Sequence, residues 1–241
     1  MQKMAGPLLS LFSEEICEYL FSKVWQHRQE GLSKVISQLN SDKNAGNNLP
    51  LYFSIITRTI KDKIAQVFLR SNDLLEAILK NSAKLNKNDI TLSLDNIIIS
   101  LLEKTHDSNL KVKSSSEKIF ITLSNNPLIG LVYVLNVVIK TCDSSKNNNS
   151  PKFLQARFAL LSTLLKEISK NDKVQNEINV NHILEFIIRG LENNNGDIRK
   201  KALENAELAV NVFGEGKVGR VMEKWSPGFM DSLGEKGKKK S

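Results

Sequence analysis

Lys and Arg number 34 against 26 Asp and Glu in this 241-residue chain, a formal charge of +8 and a pI near 9.4 that favour an acidic partner: nucleic acid, an anionic membrane or an acidic protein surface. With 41% hydrophobic and 25% charged residues the composition suits a soluble folded protein and excludes a wholly disordered one. The length suffices for one large core or for an array of repeats, each packing only on its neighbours.

The opening "MQKMAGPLLSLFSEE" has too short an apolar stretch before Glu14 and Glu15 for a secretory signal, so residues 1–8 are expected to be an N-terminal extension of a cytosolic chain. A first helix is expected to begin near Ser13 and a second near Trp25. Further pairs follow, with first helices starting near Pro50, Ser93, Pro127 and Asn181 and second helices near Ile64, Val112, Phe153 and Ile198. The periodicity that defines them is plain in Leu94, Ile97, Ile98, Leu101 and Leu102, and again in Ile183, Phe186, Ile187 and Leu191. Within the fourth pair, "LIGLVYVLNVVI" is broken by Asn136 and falls short of the ~20 residues of a membrane span, so it reads as a buried helix and no membrane is expected as partner.

Successive second helices start 39, 48, 41 and 45 residues apart, differences that fit the ~40–47 of HEAT or armadillo units, and no strand-like alternation competes. The fold class expected is therefore all-α: a HEAT-repeat solenoid of five helix pairs, with residues 216–233 as a short terminal unit that Pro227 begins or interrupts. Asp62, Asp107 and Asp197 stand just before second helices as candidate caps, and Ser150 with Pro151 offers an N-cap followed by proline at N1. In a regular solenoid the loops inside the pairs would share one edge. They span residues 23–28, 61–64, 105–113, 142–157 and 192–201, and each carries Lys or Arg. The lysines at 236 and 238–240 lie beyond the repeats in a Gly-containing tail, residues 234–241, that reads as a solvated end.

Catalytic and metal-binding chemistry finds little support. His27, His106 and His182 belong to no ligand spacing, Cys17 and Cys142 make no CxxC pair and read as buried thiols of a reducing compartment, and "GEGKVG" at 214–219 lacks both the preceding strand and the order of a phosphate loop. No enzyme, metal or cofactor is expected.

The stretches "FSKVWQHRQEGLSKVISQL", "KDKIAQVFLRSNDLLEAIL" and "ENNNGDIRKKALENAELAV" resemble the TOG domains of microtubule regulators, with Trp-x-x-Arg at the head of the first unit as the most distinctive piece. The resemblance runs over residues 9–233. It is strongest toward the TOG domain of a centrosomal protein of ciliary tips, in residues 9–39 and "VGRVMEKWSP". What it implies is binding of the αβ-tubulin heterodimer through the intra-repeat loops, by a monomeric module of a larger protein, in the cytoplasm and cytoskeleton and at cilium tips or centrioles. Trp25 would lie against β-tubulin and Arg199, beside Lys200, would reach α-tubulin; Ile64, Lys111 and Lys152 match intermediate contacts, with Lys146 an alternative to Lys152 in the long fourth loop.

Rival readings stand beside these. Trp25 could fold back on Phe21 as a plug of the core, Arg28 and Arg199 could pair with acidic groups of neighbouring repeats, and Trp225 reads as packing in the last unit. A generic basic HEAT scaffold binding RNA or a partner peptide is the alternative function. With aromatics at only 6%, mostly in apolar stripes, base stacking is poorly provided for, and nucleic acid is not the expected partner.

Overall fold

In the computed structural model, residues 2–81, 87–140 and 150–230 are described. Among them the structure is helical with no strand, and the expected pairs are present. First helices are α2 (Glu14–Phe21), α4 (Leu49–Thr59), α6 (Lys87–Lys104), α8 (Gly130–Ile139) and α11 (Val180–Leu191); second helices are α3 (Trp25–Ser41), α5 (Ala65–Lys80), α7 (Leu110–Asn125), α9 (Pro151–Ile168) and α12 (Gly196–Phe213). Three further helices accompany them: α1 (Gln2–Leu9) and α10 (Asp172–Glu177), which were not anticipated, and α13 (Glu215–Trp225), which falls in the stretch expected as the short terminal unit. Helix α6 starts at Lys87 rather than near Ser93, and α13 is one helix that ends before Pro227. Cys142, Lys146 and the lysines of the tail lie outside the described residues.

The chain forms two compact units, Met1–Gly130 and Leu131–Ser241. In the first, α2 starts on Ser13, whose hydroxyl accepts from the Ile16 amide, and Glu14 and Glu15 complement the free amides of its first turn. Ile16, Cys17 and Leu20 then share the face that turns inward. Helix α5 buries Val67, Phe68, Leu74, Leu75, Ile78 and Leu79, a stripe at helical spacing; each fully buried aliphatic side chain contributes ~1.5–3 kcal/mol. Tyr52 of α4 is fully buried, with its ring edge-on to Phe12 and its hydroxyl donating to Asp42 Oδ2 at 3.0 Å; burial first, and that bond second, push its phenol well above the usual range. Burial, with Glu14 beside it, likewise raises the Cys17 thiol.

Polar bonds cross from one repeat to the next at separations close to the repeat length. Arg70 donates to Ser33 over 37 residues, Asn72 to Ser115 over 43, Lys118 to Glu76 over 42, and Asn126 to the Leu79 carbonyl over 47. Asn72 and Glu76 are a turn apart on α5, as Ser115 and Lys118 are on α7, so α5 and α7 run parallel. Arg28 and Ser33 of α3, which bond Asp62 and Arg70 in that order, make α3 parallel to α5 as well. The starts of α3, α5 and α7 therefore share one edge of the first unit.

In the second unit α12 lies on α9 and α11, and Asn205, fully buried, donates to the Phe158 carbonyl 47 residues away. Gly190 marks the closest approach. A β-carbon there would stand 2.2 Å from the Phe158 ring and 2.8 Å from Ala202 Cβ, so only glycine lets α11 sit this close to its neighbours. Phe158 in turn stacks on Phe186 with centroids 4.6 Å apart.

Candidate functional site

The loop inside a pair is built the same way wherever it is fully described. A short polar side chain accepts the backbone amide two residues on, and that second residue is the N-cap of the following helix: Ser22 accepts from Val24 at 3.1 Å, Asp62 from Ile64 at 2.9 Å, Asp107 from Asn109 at 2.9 Å and Asn193 from Asn195 at 2.9 Å. This recurring turn escaped the sequence reading, which placed Asp62, Asp107 and Asp197 as the caps; Asp62 stands two residues ahead of Ile64, the N-cap of α5. In the other two loops Asn109 and Asn195 are the caps, each accepting from two amides of the next turn, while Asp197 sits inside the first turn of α12. The signal was present as a Ser, Asp or Asn two positions ahead of the N-cap in each of these four loops.

The caps divide the loops. Asn109, Ser150 and Asn195 cap α7, α9 and α12 with side-chain oxygens, whereas α3 and α5 begin on Val24 and Ile64, which make no side-chain cap bond. A polar cap is worth ~1 kcal/mol. Its place in the first two loops is taken by a Val 46% exposed and an Ile that is half-buried.

Trp25 is the first residue of α3 and is half-buried, so it is not a sealed part of the core. Phe21, on which a plugging indole would rest, has the Arg58 guanidinium over its ring at 3.9 Å. Burial and the nearby Arg28 charge lower the pKa of that guanidinium and Asp62 opposes them, but an arginine stays charged throughout. Arg28 takes the intramolecular role. Its Nε and Nη2 donate to the two oxygens of Asp62 at 2.7 and 3.0 Å, and Nη1 donates to the Ser22 and Lys23 carbonyls at 3.0 and 3.1 Å. Since Asp62 also holds the Ile64 amide, one fork-shaped cation locks the first loop to the second and fixes the backbone under both Trp25 and Ile64. His27 packs flat on Tyr19, centroids 5.0 Å apart, with Nδ1 facing the Ser22 hydroxyl at 3.2 Å.

The third loop shows Lys111 exposed, next to an exposed Leu110. In the second unit, Lys152 is exposed on the first turn of α9, and further along the same helix Arg157, 2% exposed, donates to the Val138 and Lys140 carbonyls at 2.8 Å each while lying 4.6 Å from the Phe186 ring. A buried guanidinium thus closes the end of α8 against α9. In the fifth loop, Arg199 is exposed and pairs with no carboxylate among the described residues, contrary to the reading that placed it in an ion pair. Its Nη1 donates instead to the Asn193 and Asn194 carbonyls, at 2.8 Å each, which holds it over its own loop. Lys200 beside it is exposed. Trp225 lies edge-on to Phe229, as packing of the last element requires, and also donates from Nε1 to Glu192 Oε1 at 2.7 Å, bracing α13 on the start of the fifth loop.

Trp25, Ile64 and Lys111 thus stand at loop heads of the first unit, and Lys152, Arg199 and Lys200 at loop heads of the second. Among the described residues no group of His, Cys, Asp and Glu could hold a metal ion, and no helix is long and apolar enough to cross a membrane.

Comparison with known proteins bears on the fold and the family. The sequence model of one family, centrosomal protein CEP104, TOG domain, matches residues 2–204. The TOG domain of human Cep104 superposes with a TM-score of 0.73 at 20% identity, covering 85% of this chain and 80% of its own. A second CEP104 TOG domain gives 0.76 at 20% identity over 93% and 88%. A structure of crescerin, said to use a TOG domain array to regulate microtubules in the primary cilium, gives 0.69 at 14% identity over 94% and 89%. No curated protein matches by sequence. The fold is thus that of TOG domains, HEAT-like helical modules without catalytic activity. The family match spans most of the chain, and the chain belongs to the CEP104 TOG-domain family.

Proposed function

We propose that this TOG domain binds the αβ-tubulin heterodimer through its intra-repeat loops and serves microtubule ends at cilium tips or centrioles, as a monomeric module comprising residues 9–233 of a larger protein. The observation that carries this reading is the head of α3. There a helix gives up a polar cap, shows an exposed Val24, keeps Trp25 out of the sealed core, and has its backbone fixed by the Arg28–Asp62 clamp. A clamped turn that presents a large indole is a preorganised anchor, the kind of residue that dominates protein interfaces. The basic heads of the other loops, Lys111, Lys152, Arg199 and Lys200, supply charge for an acidic surface, with Trp25 toward β-tubulin, Arg199 toward α-tubulin and Ile64 among the contacts between them.

The test is co-elution of the domain with αβ-tubulin on gel filtration at low and raised ionic strength, with RNA as competitor. Wild type is expected to co-elute and to resist RNA. Trp25→Ala is expected to weaken binding by at least ~2 kcal/mol with little change in thermal stability, as truncation of an interface anchor does. Arg199→Glu is expected to weaken binding at low salt and to lose less than wild type when salt is added, because the electrostatic share is screened. Displacement of tubulin by RNA would favour a nucleic-acid scaffold instead. A large fall in the melting temperature of Trp25→Ala would make the indole a core residue.

A further inference from the structure

We propose that Leu110 is a second apolar anchor for tubulin, placed in the third loop as Trp25 is placed in the first; the proposal rests on the tubulin reading above. The equivalence is one of position. In the first loop Ser22 accepts from Val24, the N-cap, and Trp25 opens α3. In the third, Asp107 accepts from Asn109, the N-cap, and Leu110 opens α7. Both residues are the first of their helix, at the same distance from the same turn, and the parallel run of α3, α5 and α7 brings both starts to one edge of the first unit.

Exposure singles the residue out. Leu110 is 78% exposed, the highest among the exposed large hydrophobics of the described residues; the others are Leu9 at 50% and Val24 at 46%. A lone exposed leucine is ordinary on a protein surface. Two of these three, however, occupy the heads of second helices, Val24 as N-cap of α3 and Leu110 one residue past the N-cap of α7. The fold draws nothing from Leu110. Asn109 already caps α7, and Val112, Ser116, Ile119, Phe120 and Leu123 supply its buried face. A polar or acidic residue would suit the first turn better, because the free amides there favour negative charge. The second unit lacks the feature, since α9 and α12 open on Pro151 and Gly196. The first unit therefore offers an apolar series, Val24, Trp25, Ile64 and Leu110, bordered by Lys111.

An apolar contact and a charged one respond differently to salt, which gives the test. Dissociation constants for tubulin are measured at two ionic strengths for wild type, Leu110→Ser, Leu110→Met, Lys111→Ala and Trp25→Ala, with melting temperatures alongside. Leu110→Ser is expected to bind about tenfold more weakly at both ionic strengths with its melting temperature unchanged, as removal of one well-buried aliphatic contact would produce. Leu110→Met is expected to bind like wild type, and the effect of Lys111→Ala to shrink as salt is added. If Leu110→Ser binds like wild type while Trp25→Ala is impaired, Leu110 is no contact and the tubulin reading stands. A lowered melting temperature for Leu110→Ser would assign the side chain to the fold and overturn the proposal. If wild type itself fails to bind, the tubulin reading falls and this inference with it.

Discussion

Removing the Arg28 guanidinium tests whether the first two loops are a preorganised surface or two independent turns. Arg28→Ala deletes four hydrogen bonds, two to the Asp62 carboxylate at 2.7 and 3.0 Å and two to the Ser22 and Lys23 carbonyls at 3.0 and 3.1 Å. Breaking a fully buried pair costs ~3–5 kcal/mol, whereas an exposed pair is worth ~0–1 kcal/mol. With side chains 15% and 13% exposed this pair lies between the limits, and Asp62 keeps the Ile64 amide after the change, so the expected cost is about 2 kcal/mol. For a chain of this length that lowers the melting temperature by about 4–8 °C. The assay is urea unfolding followed by tryptophan fluorescence in a Trp225→Phe background, where Trp25 is the sole indole and reports on the loop itself. Asp62→Asn is the matched partner, because it removes the charge but keeps an acceptor for Ile64, and the double variant closes the cycle. A coupling of about 1.5 kcal/mol or more is expected. A coupling below ~0.5 kcal/mol would mean that the pair is an ordinary surface ion pair, and the argument for a rigid double loop would fail.

Arg157→Met should destabilise the second unit by about 2–4 kcal/mol, since the Val138 and Lys140 carbonyls lose a buried donor; a thermal melt reads it, and Arg157→Lys should recover only part because it cannot span both acceptors. Gly190→Ala should cost about 1–3 kcal/mol in chemical denaturation through the clash with the Phe158 ring, and Phe158→Leu in the same chain should relieve part of it. For Tyr52 the folded phenol is held above its ordinary pKa by burial, so above about pH 10 the unfolded chain releases a proton that the folded chain keeps. Stability should therefore fall as pH rises there, by up to about 1.4 kcal/mol per pH unit, and Tyr52→Phe should show a flatter fall between pH 9 and 11.

The existence of the five pairs, and most of their starts, could be read from the sequence because repeats bury local stripes. Ile183, Phe186 and Ile187 declare an inward face with no knowledge of what they meet, and a spacing near 43 residues reappears as hydrogen bonds 37 to 47 residues long. Basic and apolar loop heads were visible for the same reason, since a residue that no periodicity claims is left over for the surface. What each head does was not visible. Arg28 and Arg199 are alike in sequence, each near the start of a second helix, yet one faces a carboxylate of the next repeat and the other only carbonyls of its own loop. The partner across a repeat is chosen by the offset between neighbouring helices, which no local pattern encodes. The turn shared by the loops, the buried Arg157 behind the fourth, and the equivalence of Leu110 with Trp25 likewise depend on backbone geometry. Sequence fixes which residues prefer water, a property of each side chain; only the packing of helix on helix decides which of them are held together, and which is left 78% exposed at the head of α7.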